Sequence, residues 1–216
     1  MSDAGYEIIS LDDLQRVPYR GSGEVLRPLR QRLGFRAFGV NVWSADAVGD
    51  KLIPPHEEDS EQEELYVVVR GTARFTIGDA TSDAPAGTLI HVRAGTFRKA
   101  TAAEADTMIL VAGGKEGEAF EPGGWENVHI AFALLDAGDA AAGRAILEAA
   151  DVPDEYQWGK HYNLACYDAM AGELDAAFEQ LRLAVELNGD QVMNWLPHDT
   201  DLDPLRGDPR FAELSG

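Results

Sequence analysis

Apolar residues alternate with polar ones through much of the first half of the chain, and recur every three or four positions through most of the second. From Phe35 to about Val111 the alternating pattern breaks into short runs. These are "FRAFGVNVW" (35–43), "ELYVVVRG" (64–71), "TARFTIGD" (72–79), "GTLIHV" (87–92), "TFRKAT" (96–101) and "DTMILVAGG" (106–114). Runs of this length, rich in β-branched and aromatic residues and bounded by glycine, predict half-buried strands. The glycine at 71, between two such runs, predicts a hairpin. Many short, closely spaced strands predict an antiparallel barrel or jelly roll. Strand periodicity puts Tyr66 and Val68 on the same face as Glu64, toward a barrel interior. His91 alternates with Ile90 and Val92, which leaves it either lining the barrel or serving as an ordinary sheet histidine. Upstream, "SGEVLRPLRQRLG" (22–34) reads as a loop and a short helix, with Pro28 at its first position and Gly34 as its stop. Arg27, Arg30, Arg32 and Arg36 form the one basic cluster, either a solvated face or an anion site.

After "EPGGW" (121–125) the period becomes helical and a second regularity emerges. Ala131, Gly138, Leu147 and Ala150 match Ala165, Gly172, Leu181 and Ala184, in each case 34 positions on. Two units follow back to back, 124–157 and 158–191. In the second, Ala165, Ala177 and Ala184 stand where two antiparallel helices would approach closely, and Gly172 stands at the turn. The first unit is weaker, with Gly143 where the second has Ala177. Period and small-residue positions resemble the tetratricopeptide repeat. The tail from 199 to 216 resembles the segment that caps such repeats, with Leu205, Phe211 and Leu214 available to cover the last apolar face. Two repeats and a cap offer little concave surface, so Trp158, Tyr162 and Trp195 are expected to pack against the first domain or a second subunit. The fold class expected is a two-domain α+β chain, with an antiparallel β-barrel over 1–123 and an all-α repeat domain over 124–216.

Charge narrows the partners. The formal net charge is -20. Residues 1–123 carry 20 acidic and 13 basic side chains, and residues 124–216 carry 18 and 5. Such a field repels nucleic-acid phosphates and anionic lipid heads, so neither is expected as a partner. Cys166 is the single cysteine, expected to be buried and inert, and a disulfide framework is excluded. No basic n-region with an apolar run opens the chain, and no apolar stretch approaches the ~20 residues of a membrane span. The expected setting is the cytoplasm.

The strand half also carries a candidate site. "PPHEEDSEQEELYVVVRG" (54–71) holds His56 and six acidic residues within eight positions, ahead of a strand ending in Gly71. Glu64 stands seven residues before Gly71, and Gly49 lies upstream of His56. Further on, Gly87 is followed by "TLIHV", then Arg93-Ala94-Gly95, Thr96-Phe97 and Arg98. This punctuation resembles the two motifs of the cupin superfamily, over roughly Phe35 to Gly114. The resemblance implies a jelly-roll barrel, a homodimer, and a divalent metal held by three histidines and a glutamate. Here His56 and Glu64 keep their places and the rest departs. Counted forward from His56 the second histidine position falls on Glu58; counted back from Glu64 it falls on Asp59 or Ser60. At the third histidine position stands Arg98.

Arginine stays cationic at working pH and has no lone pair to offer a metal. The expectation is that Arg98 replaces the metal, held by Glu64 with His56 nearby. The competing set is His56, Glu58 and Glu64 around a divalent ion (manganese, iron, nickel or zinc). Glu57, Asp59, Glu61 and Glu63 read as a solvated approach to the strand. The chain lacks a glycine-rich phosphate loop, a paired-cysteine zinc pattern and a nucleophile elbow. Three functions follow. The first is a non-catalytic, metal-free barrel that binds a small molecule or serves as a scaffold, joined to repeats that can engage a protein partner. The second is a metal-dependent dioxygenase or sugar isomerase. The third is a metal-free enzyme with His56 or Glu64 as base and Arg98 stabilising an oxyanion.

Overall fold

The computed structural model describes residues 6–18, 23–57, 61–118, 120 and 124–215. The chain divides into two compact units, Met1–Pro122 and Gly123–Gly216.

The first unit runs β1 (Val17–Pro18), β2 (Val25–Arg27), α1 (Leu29–Leu33), β3 (Gly39–Ala45), β4 (Lys51–His56) and β5 (Glu63–Arg70). It continues with β6 (Thr72–Ile77), β7 (Ala80–Pro85), β8 (Leu89–Val92), β9 (Arg98–Ala102) and β10 (Thr107–Gly114). One sheet has the order β1-β2-β3-β10-β5-β8 and the other β4-β9-β6-β7. The strand pairs are antiparallel. From β3 onward, successive strands alternate between the sheets, except that β6 and β7 are neighbours in one sheet, in the nested order of a double-sheet jelly roll. Tyr66 from one sheet meets Phe75 from the other edge to face, 5.4 Å between centroids. Val68, Val92, Ala100 and Ile109 are buried with them.

Gly71 does not close a hairpin. β5 pairs with β10 and β8, whereas β6 pairs with β9 and β7, so the chain changes sheets at this residue. Its φ is 67°, and a Cβ built there would lie 2.9 Å from the Thr107 Cα. Glycine is required on both counts. The hairpin falls one strand later, where Gly78 and Asp79 join β6 to β7. Besides the short β1 and β2, the strands that escaped the alternation rule are β4 and β7, and each of these two contains proline. Both lie at the edges of the four-stranded sheet, where a missing N–H costs no ladder bond. Conversely, the run from Phe35 to Phe38 is outside β3, which starts at Gly39.

The outer face of the six-stranded sheet is covered in part by Leu14 and by Leu29 of α1, packed on Val42 and Met108. Gly34 ends α1 in the left-handed conformation, φ 63°, while Pro28 is its N-cap rather than its first residue. Arg27 corrects the solvated-face reading of the basic cluster. It lies in β2 and is buried, with Nε donating to Ser44 Oγ at 3.2 Å and Nη1 to the Leu11 carbonyl at 3.2 Å.

The second unit contains α2 (Gly124–Asp136), α3 (Ala140–Glu148), α4 (Gln157–Ala171), α5 (Leu174–Trp195) and α6 (Pro209–Ser215). Gly138 and Gly172 turn the α2–α3 and α4–α5 pairs in left-handed conformation, φ 86° and 83°. Ala131 and Ala165 are both fully buried, as are Ala177 and Ala184. The match fails at Ala150, because α3 stops at Glu148 and Pro153 follows closely. α5 breaks at Asn188, φ -156°, whose side chain accepts from the Gln191 N–H. Leu202, Leu205 and Phe211 close the core, with Leu214 partly buried against it. Trp158 and Tyr162 spend their faces within this unit, at 4.9 and 5.4 Å from the Trp195 ring. Tyr162 is buried and donates to Asp199, so its assignment to a domain or subunit contact is corrected. Cys166 is buried beside the same carboxylate, and burial pushes its thiol well above the usual range.

Candidate functional site

The site sits where the two sheets of the jelly roll face each other. β4 and β9 pair so that His56 stands opposite Arg98. β5, on the other sheet, presents Glu64 and Tyr66 at successive inward positions. Leu65 and Val69, between and beyond them, are exposed. This two-residue period is what brings a carboxylate and a phenol side by side.

One oxygen is the hub. Glu64 Oε2 lies 3.2 Å from Arg98 Nε and 3.8 Å from His56 Nε2. Tyr66 donates its hydroxyl to the same atom. His56 Nδ1 lies 2.8 Å from the Pro54 carbonyl oxygen, and a carbonyl only accepts, so Nδ1 carries the proton. In the neutral ring Nε2 is then the lone-pair nitrogen, turned toward Glu64. His56 is the most open of the four, with 30% of its side chain exposed against 10% for Glu64 and none for Arg98.

The charges follow from this placement. Glu64 beside it raises His56 above its ordinary 6.5, more than burial lowers it. Burial is the largest effect on Glu64 and pushes its carboxyl up. His56, Tyr66 and the Arg98 charge together outweigh it, and the net shift is downward. Burial, then the Glu64 charge, drives the Tyr66 phenol far up, so it remains a donor.

Arg98 is the exception to good accounting. It is fully buried, yet Nε, Nη1 and Nη2 lack a hydrogen-bond partner among the described residues. The 3.2 Å approach to Glu64 is an ion pair rather than a directed hydrogen bond. Each buried donor left unmade costs about 1–3 kcal/mol, and more when charged.

The donors present do not suit the metal that the cupin resemblance implies. A cation at Glu64 would sit beside a permanent guanidinium charge with no lone pair to give. Among the described residues, no three His, Cys, Asp or Glu side chains form a group able to hold a metal ion. Glu58, Asp59 and Ser60 lie outside the described residues. His91 corrects its barrel-lining assignment. It lies on the outer face opposite Leu65, half exposed, with Nε2 2.7 Å from Glu63 Oε2. Glu57 and Glu61 are exposed. Sequence reading missed the Tyr66 hydroxyl as a partner of Glu64, although the i, i+2 spacing on a strand carries that signal. It had no signal for the Pro54 carbonyl, since backbone direction is not written in side chains.

Fold and site together define a double-sheet jelly roll with an arginine–glutamate pair at its centre, in a chain that also carries a helical unit. Over 101 residues the chain is 31% identical to an uncharacterized protein of Streptomyces coelicolor, covering 47% of this chain and 89% of that one. The chain belongs to the same family as that protein. No family model matches it. Among solved structures, a sugar phosphate isomerase of the cupin superfamily from Silicibacter pomeroyi has a TM-score of 0.43 at 20% identity, over 50% of this chain and 76% of that one. A predicted oxalate decarboxylase from Thermotoga maritima has 0.41 at 13%, over 50% and 97%. KdgF from Halomonas sp. has 0.40 at 16%, over 50% and 92%.

Proposed function

We propose that the strand unit is a metal-independent cupin barrel that binds a small molecule without transforming it, and that the helical unit is a tetratricopeptide-like module for protein contacts. The observation that carries this reading is Arg98, buried at the place of a ligating histidine with its Nε against Glu64. A guanidinium there supplies positive charge without an open coordination position. Elemental analysis of the purified full chain tests the reading. Substoichiometric first-row metal is expected, unchanged in a His56→Ala variant. A stoichiometric metal that disappears with His56 overturns it.

A second reading has its own support in the line from Tyr66 through Glu64 to His56. A histidine with a raised pKa beside a carboxylate can hold or release a proton near neutrality, which suits metal-free acid–base work. Turnover with a pH profile that is lost in His56→Ala would favour it over binding alone.

A further inference from the structure

Resting on that metal-independent reading, we propose that Arg98 recognises a small monocarboxylate that enters the jelly roll past His56. Nη1 and Nη2 are buried donors without a hydrogen-bond acceptor among the described residues. Their one charged neighbour, Glu64, faces Nε, and its Oε2 already takes the Tyr66 hydroxyl. The unmet demand at Arg98 is therefore for acceptors alone. Sugars and water bring donors of their own that would need partners; a carboxylate brings only acceptors. The guanidinium fork and a carboxylate match through two parallel N–H···O bonds, a geometry that an ammonium cannot copy. The charge also closes. Glu64 and Arg98 cancel, and His56 is the remaining group able to turn positive opposite an incoming anion. Tyr66, which touches Glu64, and Phe75, packed edge to face on Tyr66, are fully or almost fully buried, so the ligand must be small. His56, the most exposed member of the cluster, marks the side of entry.

Calorimetric titration of the full chain with acetate and with pyruvate, against acetamide as the neutral isostere, tests the proposal. Saturable binding of the two anions is expected, with acetamide weaker by roughly tenfold or more. Arg98→Lys keeps the charge and loses the fork, so it should weaken acetate by a similar factor. Should that variant fail to fold, the acetate-to-acetamide ratio on the unaltered chain, with the rise of its melting temperature in acetate, decides the matter. Equal affinity for acetate and acetamide, or no saturable binding of either, overturns the proposal. So does undiminished acetate binding in a folded Arg98→Lys protein. A metal-free protein that binds no carboxylate removes this inference and leaves the proposed function standing, whereas a stoichiometric metal removes both.

Discussion

The two units each contain an arginine engaged with a carboxylate, and the two pairs are built differently. In the helical unit, Arg144 grips Asp168 with both arms of its fork, Nε to Oδ1 at 2.8 Å and Nη2 to Oδ2 at 3.1 Å. It also pairs with Glu148 one turn along α3. Asp168 is buried, but about a third of the Arg144 side chain reaches solvent, and the remaining donors have somewhere to go. In the strand unit, Arg98 is wholly buried, meets one oxygen at 3.2 Å, and leaves its three nitrogens without directed bonds. The first pair is finished and ties α3 to α4. The second is unfinished, and a buried polar group left wanting partners is where a binding role is to be sought.

This contrast can be broken by experiment. Glu64→Ala should have the largest effect, because it strands a buried cation: a loss of about 3–5 kcal/mol in chemical denaturation. The double variant Glu64→Leu/Arg98→Met, which removes both charges, should recover most of that loss. Tyr66→Phe takes one donor from a charged acceptor and should cost about 1.5–3 kcal/mol by the same measurement. Asp168→Asn should cost about 1 kcal/mol, since the released Arg144 turns to Glu148 and water. If Asp168→Asn proves as damaging as Glu64→Ala, the distinction between the pairs fails. The smallest effect is pH dependence. His56 is raised above 6.5, so its contribution is full below that value and fades as pH rises through the shifted one. Glu64 is lowered from 4.5, so its contribution is full above that value and fades as pH falls through the shifted one. Stability should therefore hold between about 4.5 and 6.5 and decline on both sides, and the alkaline decline should vanish in His56→Ala.

How much could be read in one dimension differed along the chain. Strands that alternate, such as β5 and β6, were legible, because one buried face imposes period two on the residues. β4 and β7 were not, because proline argues against a strand unless the strand is known to lie at an edge, and edges are set by the other strands. The turn at Gly71 was legible as a turn but not as a change of sheet. Local pattern records that the backbone bends; the strands that flank it on either side decide where it goes, β10 and β8 before the bend and β9 and β7 after it. His56, Glu64 and Arg98 were nameable from the motif spacing, and the structure brings them around one oxygen. His91 stayed open between the two faces because alternation assigns relative faces and cannot say which face is inside.

The amino-acid order by itself determined the two periods, the glycines that permit the bends, the acidic balance and the presence of an arginine where the motif it resembles has a histidine. These are properties of single residues and near neighbours, where backbone sterics and hydrophobic periodicity act. Only the tertiary structure decided that Arg98 is sealed from water, that Glu64 Oε2 serves three neighbours at once, and that the guanidinium is left short of acceptors. Burial and hydrogen-bond supply depend on what distant strands place around a group, and desolvation turns an ordinary charge into a demand for a partner.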